Sequence, residues 1–158
     1  MVIWLLGISG AGKTTLGNKL KKYFDEKKIK SYIIDGDLVR EFYDSDLGFT
    51  KEDRVANIKR ILLSAYVLEQ NGIIPIVCNI SPFQELRNFA NEKLDNYIEI
   101  YLKREIADIK NKDNVYSKND VVGVDMVFDE PKNPNLTIDT SKDDIPTSLN
   151  KIINYIGI

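Results

Sequence analysis

Residues 1–14 run MVIWLLGISGAGKT, an apolar hexapeptide leading straight into a glycine-rich octapeptide. Met1 to Leu6 has the pattern of a short parallel strand covered on both faces. Gly7 to Thr14 matches G-x-x-x-x-G-K-[ST] in full. From Lys13 onward, Leu16, Leu20 and Phe24 recur at helical spacing. Strand, glycine-rich loop and helix N-terminus, in that order, make a phosphate cradle. The glycines let the backbone wrap an anion, several N–H groups converge on it, and the helix dipole adds favourable potential. In such a loop the Lys13 ammonium reaches the β- and γ-phosphates and the Thr14 hydroxyl ligates Mg²⁺. The chain is therefore expected to bind a nucleoside triphosphate through Gly7, Ser9, Gly10, Ala11, Gly12, Lys13, Thr14 and Thr15.

Bulk properties narrow the class. A chain of 158 residues is long enough for one sizeable core, so residues 1–158 are expected to form a single domain. The net charge of −2, with both signs interspersed, leaves no electrostatic footprint for nucleic acid or an anionic membrane. There is no histidine, which removes histidine base catalysis and histidine zinc sites. The single cysteine, Cys78, lies in the apolar run Ile73 to Cys78 and reads as a buried structural thiol. The apolar N-terminal run is six residues long, too short for a signal peptide, and no other stretch can span a bilayer. A cytoplasmic setting is expected; a homodimer is left open.

Strand and helix patterns alternate along the rest of the chain. Ser31 to Ile34 is a second strand, closed by Asp35-Gly36-Asp37. Thr50 to Gln70 is a long helix, with a capping pattern at Thr50 and Asp53 and an apolar stripe of Val55, Ile58, Ile61, Leu62, Ala65 and Leu68. Ile73 to Cys78 is the third strand, and Pro75 argues for an early, edge or bulged position in it. Ser81-Pro82 opens another helix, serine as cap and proline in the first turn. Tyr97 to Leu102 and Leu136 to Ile138 are the remaining strands, and Pro146 to Tyr155 a closing helix. Strands interleaved with helices imply an α/β fold, a five-stranded parallel sheet with helices on both faces. Ligands of such sheets sit at the carboxyl ends of the strands. Gly7 to Thr14, Asp35 to Asp37, Asn79 to Phe83 and Asp139 to Ser141 are therefore expected to share one cleft. Lys103 to Asn135 is polar and has little continuous periodicity, as expected of a lid over about 103–135 that excludes water during phosphoryl transfer.

Asp35-Gly36-Asp37-Leu38-Val39-Arg40 is the second informative site. A carboxylate just beyond a strand and facing the loop can orient Mg²⁺ or accept a proton from an attacking hydroxyl. Gly36 leaves room for substrate between the two aspartates, and Arg40 follows Asp37 by one helical turn.

The order GISGAGKTT, DGDLVR, LGFTKEDRVANIKRI, NISPFQELR and IDT resembles the adenylylsulfate kinases nearly from end to end. That resemblance implies a P-loop kinase with a lid, moving the ATP γ-phosphate to the 3′-hydroxyl of a small acidic nucleotide. It makes Lys13 and Asp37 the catalytic residues, Asp37 being base and, with Thr14, metal partner. Arg40, Arg54 and Asn57 become ligands for the acceptor's anionic and ribose groups, and Phe49 one wall of its base pocket. Asp35, Ile80, Ser81 and Phe83 lie beside the acceptor. Lys112 and Thr140 fall on the ATP side, and Lys118 is the remaining lysine of the lid.

The lid departs from the family pattern. The family's arginine is Lys112, the segment is several residues shorter, and Val121 stands where a second aromatic closes the adenine sandwich. Tyr116 or Phe128 are the rings that could restore it. A smaller pyrimidine would suit a pocket that lacks one wall, and some relatives phosphorylate cytidine diphosphoramidate for bacterial capsules. That nucleotide is the acceptor favoured on the sequence, with adenylylsulfate as the alternative. A GTPase-like nucleotide switch is the alternative from another class; Asn111-Lys112-Asp113 resembles its guanine-reading motif only with the aspartate one position early.

Overall fold

The computed structural model describes residues 1–110, 122–123 and 126–158, the side chains of 109 and 110 excepted. Its strands are β1 (Val2–Leu6), β2 (Ser31–Asp35), β3 (Ile74–Cys78), β4 (Tyr97–Lys103) and β5 (Leu136–Asp139). Its helices are α1 (Lys13–Glu26), α2 (Gly36–Phe42), α3 (Lys51–Gln70), α4 (Gln84–Lys93), α5 (Ile106–Lys110) and α6 (Ile145–Ile156). All strand pairs are parallel, in the order β2-β3-β1-β4-β5. The expected α/β architecture is therefore present.

β1 is central because it is apolar in both directions. Successive side chains of a strand point to opposite faces. Ile3 and Leu5 pack with Leu16, Leu20 and Phe24 of α1 and Ile152 of α6. Val2, Trp4 and Leu6 pack with Ile58, Ile61, Leu62 and Ala65 of α3 and Ala90 of α4. Each face is thus closed by an apolar helix stripe, and all five residues of β1 are buried. The chain crosses to β2 and β3 on one side of β1, then returns to β4 and β5 on the other. The crevice where the order reverses lies at the carboxyl end of β1, at the glycine-rich loop.

β3 is an interior strand, so Pro75 is neither at an edge nor in a bulge. It sits second in the strand, ahead of the first pairing with β1 at Ile76, where its missing N–H costs no ladder bond to that strand. The Thr50 cap is as expected, its side chain accepting from the Asp53 N–H at 3.2 Å. The segment read as a lid begins with a short helix, α5, and Val122 bridges to Met126 before the chain runs on to β5.

Candidate active site

The loop after β1 needs its glycines. Gly7 has φ 148° and would drive any Cβ into the Leu102 carbonyl of β4. Gly12 has φ 95° and caps α1 in the left-handed region, from which the first helical bond runs, Leu16 N–H to the Gly12 carbonyl at 2.9 Å. Lys13 lies back over this loop. Its Nζ donates to the carbonyls of Gly7 at 2.9 Å and Ile8 at 2.8 Å. Burial pushes its ammonium down to about 8, against the opposing pull of charges that include Asp35 and Asp37. A cation short of counter-charge beside a cradle of N–H groups is primed for a polyphosphate.

The two carboxylates divide their work. Asp35 ends β2 and caps α2, its Oδ1 accepting from the Asp37 N–H at 2.9 Å. Its Oδ2 accepts from the Thr14 hydroxyl at 2.9 Å, so the carboxylate that meets the phosphate loop is Asp35. Asp37, exposed in the first turn of α2, keeps its side chain toward the open cavity that it lines. Gly36 lines the cavity, but the direction a side chain would take from it is filled. A Cβ there would lie 2.5 Å from Asn79 Oδ1, so the glycine admits the asparagine side chain instead.

Beyond the carboxylates, α2 and α3 carry a cationic and aromatic wall. Arg40 donates through Nη1 to the carbonyls of Leu47 at 3.3 Å and Gly48 at 2.6 Å, and Arg54 donates through Nε to the Phe49 carbonyl at 2.9 Å. Both guanidiniums lie over the Phe49 ring, at 4.6 and 5.4 Å from its centroid. Burial lowers the Arg40 guanidinium from its ordinary value, and Asp37 opposes that pull. The loop that carries Phe49 is tied down further by the paired bonds of Arg60 to Asp46, each 2.7 Å. Phe49 is 53% exposed and so is not a core anchor, whereas Arg54 and Asn57 are buried and belong to no solvated helix face. Asn57 donates to the Gly36 carbonyl at 3.2 Å, and its buried Oδ1 has no partner. One cavity of about 640 Å³ joins these parts. Its walls bring Ser9, Gly10, Gly12, Lys13, Thr14, Thr15, Asp35 and Asp37 together with Arg40, Phe49, Arg54, Asn57, Ile80 and Ser81.

Two expected roles on the acceptor side are corrected. Ser81 does not cap a helix: α4 starts at Gln84 with Phe83 at the cap position. Ser81 instead has φ 49° and a buried hydroxyl that accepts from Trp4 Nε1 at 2.8 Å and Asn79 Nδ2 at 3.1 Å. A long-range bond from the core indole outcompetes a local cap. Phe83 does not line the cavity; it packs against the core beneath α3, with Lys51 Nζ 5.7 Å from its ring. The expected single cleft also divides. Thr140 follows β5 and donates to the Ala11 carbonyl at 3.1 Å, but it lines a second cavity of about 450 Å³ with Gly12, Thr15, Asp143, Asp144, Ile145 and Pro146. Gly12 and Thr15 are shared by both cavities, which therefore flank one loop.

Neither Arg104 nor Arg87 stands out in the sequence, whereas Asn79, expected in the cleft, lines the larger cavity. Arg87 is buried and donates to the Ser81 carbonyl at 2.6 Å and the Asp129 carbonyl at 2.5 Å, tying the stretch ahead of β5 to the loop after β3. Its signal, an arginine in an otherwise amphipathic helix, is too common to single out. Cys78 is a structural thiol as expected, buried and pushed up to about 12 by desolvation. Lys112, Lys118, Val121 and Tyr116 lie outside the described residues. Val122, beside them, is buried and lines the larger cavity. Phe128 is stacked on Tyr101, 5.8 Å between centroids, and packs against the core, which commits its ring elsewhere.

Comparison with known proteins agrees with this geometry. The profile of the adenylylsulphate kinases matches residues 1–139. An adenylyl-sulfate kinase of Halothermothrix orenii is 35% identical, the match covering 99% of this chain and 89% of that one. One of Pseudomonas aeruginosa is 34% identical, covering 98% and 84%. Among solved structures, the Mycobacterium tuberculosis APS kinase in complex with AMPPNP and APS superimposes with a TM-score of 0.91 at 26% identity, covering 99% of this chain and 97% of that one.

Proposed function

We propose that this chain, since it belongs to the adenylylsulphate kinase family, transfers the γ-phosphoryl group of ATP to the 3′-hydroxyl of adenylylsulfate. The observation that carries this is the single cavity in which the phosphate loop, the carboxylates and the arginine-lined aromatic wall follow one another in the order that donor, reacting centre and acceptor require. The relatives' acceptor, adenylylsulfate, suits that wall. Its phosphosulfate wants guanidinium donors, which Arg40 and Arg54 supply, and its base wants a flat face, which Phe49 supplies.

Each residue then has a task. Lys13 exchanges the two loop carbonyls for the β- and γ-phosphates and holds the transferring group. Asp35 fixes the Thr14 hydroxyl and the first turn of α2. Asp37 takes the proton of the attacking hydroxyl. Asn57 Oδ1, buried and unpartnered, accepts from a ribose hydroxyl. The donor set fits Mg²⁺: the Thr14 hydroxyl and the Asp35 carboxylate meet at 2.9 Å beside the phosphate loop, and Asp37 lines the same cavity. Mg²⁺ asks for few protein ligands, keeping waters and substrate phosphates in its shell. Thr14, with Asp35 and Asp37 nearby, would hold it. When bound, Mg²⁺ neutralises charge on the phosphate oxygens. Closure over the cavity excludes water, so that the phosphoryl group goes to the acceptor.

A cytidine nucleotide is the rival acceptor, and it rests on the shortened lid and on Val121, which lies outside the described residues. ADP formation with Mg²⁺-ATP, measured against adenylylsulfate, cytidine diphosphoramidate and no acceptor, separates the two. The highest kcat/KM for adenylylsulfate supports the proposal. A higher value for the cytidine nucleotide replaces the acceptor and leaves the kinase. Slow GTP hydrolysis with no acceptor-dependent turnover would instead indicate a switch.

A further inference from the structure

We infer that Arg104 is a second donor-phosphate cation, working beside Lys13. The inference rests on the glycine-rich loop being the ATP site. Arg104 is the first residue after β4, at the same carboxyl edge of the sheet as the loop. Its Nη1 donates to the Gly10 carbonyl at 3.2 Å, a long bond at the apex of the loop. Its Nε is buried and has no hydrogen-bond partner. Arg104 also lines both cavities, and so stands where the phosphate loop divides them.

Lys13 behaves in the same way, its ammonium resting on two other carbonyls of the loop. Two cations therefore rest on backbone carbonyls of one loop, at its base and at its apex. A neutral carbonyl is a weak partner for a guanidinium, and a phosphate oxygen gives a shorter, charge-assisted bond. A buried N–H without an acceptor costs free energy that such an oxygen would recover. The other arginines lining the larger cavity, Arg40 and Arg54, lie at the Phe49 wall, on the acceptor side of the proposed reaction. On the donor side, among the described residues, the charge of a triphosphate falls to Lys13 and Arg104. Arg104 is thus assigned to the donor's polyphosphate, not to its base.

Binding titrations with Mg²⁺-ATP, inorganic tripolyphosphate and adenosine test this on the intact chain. In Arg104→Ala, ATP and tripolyphosphate should both weaken, on the order of tenfold to a hundredfold for a lost charge-assisted bond, while adenosine is unchanged. Arg104→Lys, which keeps the charge, should recover part of that loss for both anions, and its unfolding midpoint shows that the fold is intact. ATP binding weakened with tripolyphosphate unaffected would overturn the assignment in favour of the base. Unchanged ATP binding in Arg104→Ala would remove Arg104 from the site altogether. If wild type binds neither ATP nor tripolyphosphate, the ATP site itself falls, and this inference with it.

Discussion

Binding of ATP should draw a proton onto Lys13. Without ligand, burial holds this ammonium at about 8, against its ordinary 10.5. A bound triphosphate places several negative charges on it and should return it to about the ordinary value. Because the ligand raises the pKa, the proton is taken up on binding, and affinity must fall as pH rises through 8. At pH 7 the free protein already carries the proton, and uptake is roughly a tenth; at pH 8.5 it is roughly three quarters. Between pH 7 and 9.5 the affinity should drop roughly twenty- to thirtyfold. Titration calorimetry in buffers of different ionisation enthalpy reads the proton count directly. Lys13→Arg, whose guanidinium does not titrate in this window, should show no uptake. An uptake near zero at pH 8.5 in the wild type, or an undiminished uptake in Lys13→Arg, would refute the assignment of a depressed Lys13 to the phosphates.

Turnover in Lys13→Ala should fall by at least ~100-fold, since the charge on the transferring group is then unneutralised; a folded variant with near-normal turnover would remove the loop from catalysis. Asp37→Asn should lower kcat by ~10²-fold or more while nucleotide affinity holds; a change confined to acceptor KM would make Asp37 a binding residue. Phe49→Ala should raise acceptor KM on the order of tenfold, from a stacking loss of ~1–3 kcal/mol per base, with the KM for ATP as the control. Gly17→Ala places a Cβ 2.5 Å from Cys78 Sγ, where α1 packs on the sheet. Such overpacking should cost about 1–3 kcal/mol by denaturant melts, and adding Cys78→Ala should restore most of it.

Much of this protein is local physics and is legible in order along the chain. The apolar hexapeptide, the glycines and Lys13 can form only a strand, a phosphate loop and a helix start, because each residue type there answers a backbone or charge requirement set by its immediate neighbours. The same holds for the Thr50 cap, the stripe of α3 and the alternation that makes a parallel sheet. What the chain could not declare was decided by contacts between residues far apart in it. Ser81 has the local makings of a helix cap, but the indole of Trp4, 77 residues away, takes its hydroxyl. Gly36 looks like bare room for substrate until Asn79 takes the place that a side chain there would fill. Arg104 reads as one more charge at the start of a polar segment until folding sets it on Gly10, 94 residues earlier. Sequence patterns report what a residue can do with its neighbours in the chain. Which of its options is taken depends on the partners that the packed sheet brings within hydrogen-bond reach, and those are chosen only when β1, β3 and β4 lie side by side.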